Sequence, residues 1–342
     1  MSNISPFIRA ISVHLPDRVE TNEDLAAEVP SWQMEKVADK TGIFARTIAG
    51  DGETATDLAD NAARRLFAEH PGIKDQIDFL IFCTQTPDYI LPTSACILQN
   101  RLGLPTSTGS LDINLGCSGY IYCLGLAKAL IAAGQCKHVL VLTADTYTKL
   151  IHPLDRSVRS VFGDGATATV VSTGETSEHL FRPDLGSDGS GANNLIVPIG
   201  GARHPSGDLV ETVDESGNRR TDANLYMNGR EILMFTLKRV PGSVSAALDN
   251  AGWTEGDIDL LILHQASKLV LDTLTQKVKV PADKSWNGMS QIGNTVSSTI
   301  PVALHQAWTA GRLKAGDRVM LSGFGVGYSW GSMGIVWSGQ YR

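Results

Sequence analysis

The stretch that decides the fold reads Leu111-Asp-Ile-Asn-Leu-Gly-Cys117-Ser-Gly-Tyr120. Its first part, 110–113, has the short apolar character of a buried strand, and a Gly-Cys-Ser-Gly turn leads into a helical pattern over 120–133. The sequence therefore predicts that Cys117 lies on the first turn of a buried helix. Backbone N–H groups and the helix dipole favour the nucleophilic thiolate there, and the same N–H groups can hold an oxyanion.

The other cysteines read differently, because a buried cysteine is more often a small apolar side chain than a nucleophile. We assign that structural interpretation to four residues that lie inside apolar runs or near a turn: Cys83, Cys96, Cys123 and Cys136. The odd count of five, without Cys-x-x-Cys or a paired Cys/His spacing, argues against a disulfide framework and a structural zinc site. It fits a reducing cytoplasm.

The bulk composition is that of an ordinary globular protein, with 342 residues, 42% hydrophobic and 19% charged. This length is enough for about two domain-sized cores. The net charge of −7 argues against a general nucleic-acid binder, although a local basic patch for an acidic partner is compatible with it. No secretion signal is visible at the N-terminus, and no apolar run approaches the roughly 20 residues of a membrane span.

A faint internal repeat organises the chain. Helical stretches at 57–68 and 243–251 precede the apolar, strand-like runs 76–83 and 257–264. Downstream, Cys117 and Asn294 each begin a predicted helix that ends at a glycine 17 residues later, and strands at 137–142 and 317–322 follow. His264 then occupies the strand end that corresponds to Cys83. Repeated strand–helix alternation of this kind predicts an α/β architecture of two similar layers.

We therefore expect two halves, 1–172 with Cys117 and 173–342 with His264 and Asn294. The segment 173–222 breaks the repeat and is rich in Gly, Ser, Asn and Pro, which indicates a crossover with long loops. Two equivalent helix starts that meet near a pseudo-two-fold axis would bring Cys117 and Asn294 together.

Cys117, His264 and Asn294 form the candidate site. Alone, a histidine at a strand end or an asparagine after glycine is more often structural, but all three occupy matching places in the repeat. A neutral histidine and an asparagine amide can donate two hydrogen bonds to one oxygen, which stabilises an enolate or oxyanion. A cysteine can hold an acyl group as a thioester. Together they predict acyl transfer onto an enolate, which forms a carbon–carbon bond.

Two other motifs are poor candidates. The glycines of 323–327 follow one strand pattern and precede another, so they do not open the helix that a dinucleotide site requires. The turn 116–119 lacks the Gly-x-Ser-x-Gly spacing of a serine hydrolase. The glycine turn near Val326 is better suited to bring a backbone N–H close to the thiol.

At this point the chain resembles a β-ketoacyl-acyl-carrier-protein synthase III, a condensing enzyme of the thiolase superfamily, over nearly its whole length. The motifs that carry the resemblance are Lys40-Thr-Gly-Ile, the Cys117 segment, Asp155-Arg156, Phe162-Gly-Asp-Gly-Ala, Leu185-Gly-Ser-Asp-Gly, Met227-Asn-Gly-Arg-Glu, His264-Gln-Ala, Gly293-Asn-Thr and Phe324-Gly-Val-Gly-Tyr-Ser-Trp-Gly. They are specific for the superfamily and less specific for the substrate.

The resemblance implies a five-layered α/β/α/β/α fold, a homodimer and a mechanism without a permanently bound cofactor. Cys117 would accept the acyl group from an acyl-CoA, and His264 and Asn294 would promote decarboxylation of malonyl-acyl-carrier protein. The backbone N–H groups of Cys117 and Val326 would form the oxyanion hole; Val326 replaces a glycine usual in the family, which leaves the backbone donor in place. The implied substrate and CoA contacts are Trp32, Lys36, Lys40, Arg156, Gly229, Leu233 and Ser267.

Departures from the family pattern bear on the substrate. Lys36 stands where acetyl-specific members have an adenine-stacking tryptophan, and Trp32, four residues earlier, would lie on the same face of a helix. Lys40 replaces an arginine and is a poorer planar partner, whereas Arg156 is retained. Leu91 replaces the aromatic residue that closes the acyl pocket across the dimer, which favours a longer or branched primer over acetyl.

The resemblance also implies a basic face for the acidic carrier protein. Leu269 stands where the family has a basic residue, with Lys268 beside it, and we expect docking at Lys268 and Lys277. Two other functions stay open from the sequence: an acyltransferase that delivers the acyl group to an oxygen or nitrogen acceptor in secondary metabolism, and a non-catalytic scaffold subunit. The departures at Lys36, Leu91 and Leu269 favour a specialised pathway over housekeeping fatty-acid initiation.

Overall fold

The computed structural model of the protein describes residues 5–175 and 177–339. In these residues the helices are α1 Asn22–Glu28, α2 Met34–Thr41, α3 Ala55–Glu69, α4 Ser94–Arg101, α5 Gly119–Ala132, α6 Arg156–Arg159, α7 Gly229–Ala251, α8 Lys268–Lys277 and α9 Thr299–Thr309. The strands are β1 Ser5–His14, β2 Arg18–Thr21, β3 Ala45–Ile48, β4 Phe79–Cys83, β5 Gly109–Ile113, β6 His138–Asp145, β7 Gly165–Glu175, β8 Asp184–Ser187, β9 Leu195–Ile196, β10 Thr212–Val213, β11 Arg219–Arg220, β12 Tyr226–Met227, β13 Leu260–Leu263, β14 Arg318–Gly325 and β15 Ser329–Val336.

Two larger sheets share one topology. The first has the order β1-β7-β6-β4-β5, in which β4 is parallel to β5 and β6, and β7 is antiparallel to β6 and β1. The second has the order β13-β14-β15-β8, in which β13 is parallel to β14, and β15 is antiparallel to both of its neighbours. At the open edge of β13, Ser285 forms a parallel bridge with Leu261, in the place that β5 takes beside β4.

The apolar side chains divide the molecule into five layers. One cluster joins α3 and α4 to the first sheet through residues such as Leu58, Leu98 and Leu140. A second fills the space between the two sheets, where α5 and α9 lie. A third joins α7 and α8 to the outer face of the second sheet. Because the central strands are covered on both faces, they read as continuous apolar runs. The α/β/α/β/α arrangement that the resemblance implies is confirmed.

The register of the strands agrees with the repeat. Phe79 pairs with Val139 in the first sheet as Leu260 pairs with Val319 in the second. Counting four residues onward from Phe79 and Leu260 reaches Cys83 and His264, which are therefore equivalent. The two central helices also end alike, because Gly134 and Gly311 both follow the last turn with left-handed backbone, at φ 72° and 68°.

The helix starts differ from the prediction. Cys117 does not lie on the first turn of α5 but two residues before it. Asn294 lies five residues before α9, since Val296 takes a left-handed φ of 55° and a short 3-10 turn, Val296–Ser298, comes between them. Because of this turn the α-helical conformation begins only at Thr299, and Asn294 lies in the loop that precedes the helix.

The boundary between the halves stays a prediction. Strand β7 continues to Glu175, so a division after residue 172 falls inside that strand. The segment 173–222 also contributes β8 to the edge of the second sheet through its pairing with β15. Among the described residues, none of the helices combines the length and apolar character needed to span a membrane.

Candidate active site

Cys117 lies in the short connection from β5 to α5 and is 5% exposed. Two glycines of β14 let that strand pass directly over it. A Cβ atom on Gly325 would fall 2.8 Å from Cys117 Sγ, and one on Gly323 would fall 2.6 Å from Cys117 O. Side chains at these positions would clash with the cysteine, so the two glycines are needed for the close approach.

Opposing effects act on the thiol. Burial raises the pKa of Cys117 to about 12, and the nearby Asp145 carboxylate acts in the same direction. Hydrogen bonds from the backbone N–H groups of Val326 and of Cys117 itself lower it. Burial prevails, so the resting side chain is a neutral thiol rather than the thiolate that a helix start alone would favour. The Val326 N–H nevertheless points at the sulfur.

His264 follows the last residue of β13 and is held on both sides of its ring. Its backbone N–H donates to Ser322 O at 2.7 Å. Its Nδ1 lies 2.7 Å from Thr299 Oγ1, and its ring packs edge-on against Phe324. Burial lowers the pKa of His264 to about 3, which keeps the imidazole neutral near physiological pH.

Asn294 is fixed by both its backbone and its side chain. Its N–H donates to Val161 O at 2.9 Å and its carbonyl accepts from the N–H of Gly163 at 3.1 Å. The side-chain Oδ1 accepts from the N–H of Val296 at 2.9 Å. That bond leaves the NH₂ group facing His264, with Nδ2 3.5 Å from Nε2. The asparagine therefore presents donors, not an acceptor, to the imidazole.

Cys117, His264 and Asn294 line one cavity of about 200 Å³. Its wall also contains three of the residues expected to contact substrate, Gly229, Leu233 and Ser267. Most of the remaining lining is apolar: Val161, Phe162, Leu195, Met227, Ile232, Ala266, Val270 and Phe324. An apolar cavity with three convergent polar groups suits a substrate that has an aliphatic part and one reacting carbonyl.

A second cavity, of about 360 Å³, adjoins the first because Thr41 and Val161 line both. The other expected CoA contacts meet here: Trp32, Lys36, Lys40 and Arg156. Three cationic side chains around one opening provide the charge that phosphate groups require.

Trp32 and Lys36 do not share a helix face. Trp32 ends a 3-10 turn, Pro30–Trp32, and Gln33 takes left-handed backbone at φ 46° before α2 begins. The tryptophan is buried, its carbonyl accepts from Arg156 Nη1 at 3.4 Å, and Arg159 lies over its ring. It thus packs into the wall rather than standing free beside Lys36.

The other predicted residues lie outside these cavities. Leu91 is 78% exposed and does not line the cavity of Cys117 within the chain. Lys268 pairs with Asp272 one turn along α8. Lys277, at the opposite end of α8, lines a separate cavity of about 600 Å³ together with Lys238 and Arg239. The two lysines therefore do not form one compact patch.

Sequence reasoning missed two polar residues of the site. Asp145, at the end of β6, accepts hydrogen bonds from the N–H of Gln85 and from Ser297, and so joins the loop after β4 to the loop after Asn294. Thr299, the first residue of α9, contacts His264 directly. Asp145 ends an apolar strand and Thr299 begins a helix, so a polar residue at the end of an element was the only signal. No group of three or more His, Cys, Asp or Glu within 5–175 and 177–339 is placed to hold a metal ion.

Known proteins share the sequence pattern and the fold of this chain. The model of the 3-oxoacyl-[acyl-carrier-protein] synthase III family matches residues 111–189, and that of its C-terminal part matches 248–337. A β-ketoacyl-[acyl-carrier-protein] synthase III of Caldanaerobacter subterraneus subsp. tengcongensis is 35% identical over 95% of this chain and 96% of its own. A protein of that name from Streptomyces coelicolor is also 35% identical, over 94% of both chains.

A solved structure of a 3-oxoacyl-(acyl-carrier-protein) synthase III superimposes with a TM-score of 0.95 and 50% identity, over 97% of this chain and all of that one. Identity of this extent over almost the full length, together with the two family models, shows the family. The chain belongs to the β-ketoacyl-acyl-carrier-protein synthase III family of condensing enzymes.

Proposed function

We propose that the protein condenses an acyl-CoA primer with malonyl-acyl-carrier protein through an acyl thioester on Cys117. The observation that carries the proposal is the shared cavity, which is lined by a thiol, an imidazole and a carboxamide. A condensing enzyme needs a place to hold the acyl group and two donors for an enolate oxygen. The three side chains supply these without a metal or a permanently bound cofactor.

In the first step Cys117 Sγ attacks the thioester carbonyl of the acyl-CoA. The carbonyl electrons move to oxygen, where the N–H groups of Cys117 and Val326 donate hydrogen bonds. The oxyanion collapses, the bond to the CoA sulfur breaks, and the thiol proton of Cys117 leaves with CoA as its thiol. Because the pKa of Cys117 is raised to about 12, deprotonation accompanies attack rather than preceding it.

In the second step the carboxylate of the malonyl thioester leaves as carbon dioxide, and its bonding electrons form an enolate. His264 Nε2–H and Asn294 Nδ2–H donate to the enolate oxygen. The enolate carbon then attacks the acyl carbonyl on Cys117, the carbon–sulfur bond breaks as the β-ketoacyl product forms, and the departing thiolate takes a proton from water to restore the thiol. A neutral imidazole suits this role since it donates without giving up a proton.

The adjoining cavity is the entrance that we assign to CoA. Lys36, Lys40 and Arg156 would hold its phosphate groups, and the shared wall at Thr41 and Val161 would direct the pantetheine arm to Cys117. Gly229, Leu233 and Ser267 would contact that arm. Buried Trp32 supports this wall, which leaves Lys36 to face the adenine region.

For carrier-protein docking, the ion pair of Lys268 with Asp272 favours Lys277 as the stronger contact. Lys277 lines one cavity with Lys238, Arg239 and the carboxylates Asp188 and Glu231. Arg239 pairs with Asp188, so an acidic helix would meet Lys277 and Lys238 beside one remaining carboxylate. Lys277→Glu should raise KM for malonyl-carrier protein severalfold while acyl loading stays unchanged. Lys314→Glu, on the exposed loop after α9, is the matched control. An unchanged KM would exclude this face.

We also propose a homodimer, formed along β5. This strand ends the first sheet and is only half-buried, so its outer edge is open in the single chain. Three exposed apolar residues precede α4 on the neighbouring loop: Tyr89, Ile90 and Leu91. Antiparallel pairing of β5 with its copy would bury this loop and bring Leu91 to the partner's acyl pocket. The cytoplasmic location stays a prediction from the cysteines.

Two variants test the division of labour. Cys117→Ala should abolish acyl loading from acyl-CoA, seen by mass spectrometry, but retain malonyl decarboxylation. His264→Ala should retain acyl loading, but its rate of carbon dioxide release should fall about 100-fold or more. If His264→Ala instead abolishes loading, the histidine acts on the thiol and the assignment to the enolate is wrong.

A further inference from the structure

The hydroxyl of Thr299 has two neighbours and one proton to donate. His264 Nδ1 lies 2.7 Å from Thr299 Oγ1, and Val296 O lies 3.1 Å from it. The carbonyl can only accept, whereas Nδ1 accepts or donates according to the tautomer of the ring. The direction of the hydroxyl proton therefore determines which nitrogen of His264, Nδ1 or Nε2, carries the ring proton.

The two arrangements give His264 opposite chemistry. If Thr299 donates to Val296 O, it accepts from Nδ1–H, and Nε2 faces the cavity as a bare lone pair that acts as a base. If Thr299 donates to Nδ1, the ring proton is on Nε2 and points into the cavity as a donor. A buried neutral ring has a single N–H, so it cannot present both at once.

The distances favour donation to His264. The contact with Nδ1, at 2.7 Å, is shorter than that with Val296 O, at 3.1 Å, so the hydroxyl lies closer to the imidazole than to the carbonyl. The separation of 3.5 Å between Asn294 Nδ2 and His264 Nε2 is too long for a good hydrogen bond between the two nitrogens. It suits two donors that aim at a third atom lying between them.

The direction of the Asn294 amide supports the same arrangement. Its Oδ1 is occupied by the Val296 N–H, so its NH₂ group points towards His264. Val296, which donates this bond, has a left-handed φ of 55°, an uncommon conformation for a β-branched residue. The loop therefore holds an asparagine donor beside Nε2, where a second donor completes an oxyanion site.

We propose that Thr299 is a positioning residue that donates its hydroxyl proton to His264 Nδ1 and so holds the imidazole proton on Nε2 for the enolate. This inference rests on the role proposed for His264. Thr299 does not reach the substrate; it acts through the ring. It should therefore matter for malonyl decarboxylation and not for acyl loading, in which the enolate donors take no part.

The test compares Thr299→Val, which keeps the shape and removes the hydroxyl, with Thr299→Ser, which keeps the hydroxyl. We expect Thr299→Val to lower the rate of decarboxylation of malonyl-carrier protein about tenfold to 100-fold. Without the hydroxyl, part of the molecules would carry the ring proton on Nδ1 and lose the Nε2–H donor. Acyl loading on Cys117 should stay within about twofold, and Thr299→Ser should recover most of the lost rate. Thermal unfolding of each variant shows that the fold is intact.

A second measurement reads the tautomer in the wild-type enzyme. Long-range nitrogen–proton spectra of protein labelled with ¹⁵N-histidine should give His264 a protonated Nε2 and an unprotonated Nδ1, with His264→Ala used for assignment. A protonated Nδ1 in the wild type would overturn the proposal. An equal loss of decarboxylation rate in Thr299→Val and Thr299→Ser would also overturn it. So would a loss of acyl loading, or an unchanged decarboxylation rate, in Thr299→Val. If His264→Ala also decarboxylates at the wild-type rate, the role proposed for His264 is wrong. If His264→Ala loses decarboxylation but the Thr299 variants do not, only the role proposed for Thr299 is wrong.

Discussion

At the scale of single residues, the environment of Cys117 combines a donor at the sulfur with a site that disfavours charge. The Val326 N–H stabilises negative charge on the sulfur, while burial and Asp145 oppose it. A thiol of this kind is largely un-ionised at neutral pH, so it reacts slowly with alkylating reagents. Its ionisation should therefore be visible in the pH dependence of a simple alkylation.

We predict that alkylation of Cys117 by iodoacetamide rises about tenfold per pH unit from pH 7 to pH 10, because the thiolate fraction grows in that proportion below the pKa. The extent of reaction is followed by peptide mass spectrometry in a Cys96→Ser background, since Cys96 is exposed. A plateau reached by pH 8 would mean that the N–H groups of Val326 and Cys117 outweigh burial.

The sequence predicted which three side chains line one cavity, but not the residues that hold them there. Cys117, His264 and Asn294 could be predicted to converge because each holds a matching place in the repeat. Thr299 and Asp145 could not, since their importance depends on which side chain faces them across the fold. The charge state of Cys117 was also out of reach, because burial depends on how closely β14 passes over the thiol.

At the scale of elements, the apolar runs predicted the positions of the strands, but the observed strand ends differ from the predicted ones by a few residues. The run 76–83 became Phe79–Cys83, because its first residue completes a 3-10 turn. The helix pattern at 243–251 is only the last part of α7, Gly229–Ala251. The start of α9 was misplaced since a left-handed valine, Val296, breaks the helical path, and valine has no preference for that conformation.

The paired ends of α5 and α9 allow a prediction about the repeat itself. Gly134 and Gly311 have left-handed φ and open space around the missing Cβ, so only backbone strain opposes a side chain. We expect Gly134→Ala and Gly311→Ala each to lower the free energy of unfolding by about 1 kcal/mol, and additively, in chemical denaturation. Gly242→Ala, inside α7 and also in open space, is the control and should not destabilise. A large difference between the two sites would contradict equivalent helix ends.

At the scale of the whole molecule, a buried carboxyl joins the two halves. Asp145 accepts from Gln85 N–H and from Ser297, yet burial raises its pKa from 3.8 to about 7. Because the folded-state pKa is the higher one, folding favours the protonated carboxyl. The stability that this group contributes is full below about pH 4 and is lost as the pH rises through 7.

We predict that Asp145→Asn, which cannot ionise, gains stability relative to the wild type between pH 5 and pH 8, by about 2 kcal/mol. The measurement is the difference in free energy of unfolding between the two proteins, which cancels the titration of the histidines. Asp51→Asn, at an exposed position, is the control. A difference that does not change with pH would show that the carboxyl is already ionised in the fold.

The five layers could be predicted from the repeat and the resemblance, but the surfaces where the chain meets partners could not. Apolar side chains such as Ile90 and Leu91 are left largely exposed by the part of the chain that the structure describes. In the proposed homodimer their role depends on a second copy of the chain, which no pattern within one copy describes. A substitution at Leu91 is therefore the most direct test of the preference for the acyl primer.

We predict that Leu91→Phe shifts primer preference towards acetyl. If the β5 edges pair in a dimer, residue 91 closes the partner's acyl pocket, and a larger ring there removes space from long or branched chains. The ratio of kcat/KM for a branched acyl-CoA to that for acetyl-CoA should fall about tenfold, since a few methylene groups in an apolar pocket are worth that much. Val19→Phe, at another exposed apolar position, should leave the ratio unchanged. Light scattering must give the mass of two chains for both variants; an unchanged ratio in a stable dimer would place the end of the acyl pocket elsewhere, among the residues of the same chain.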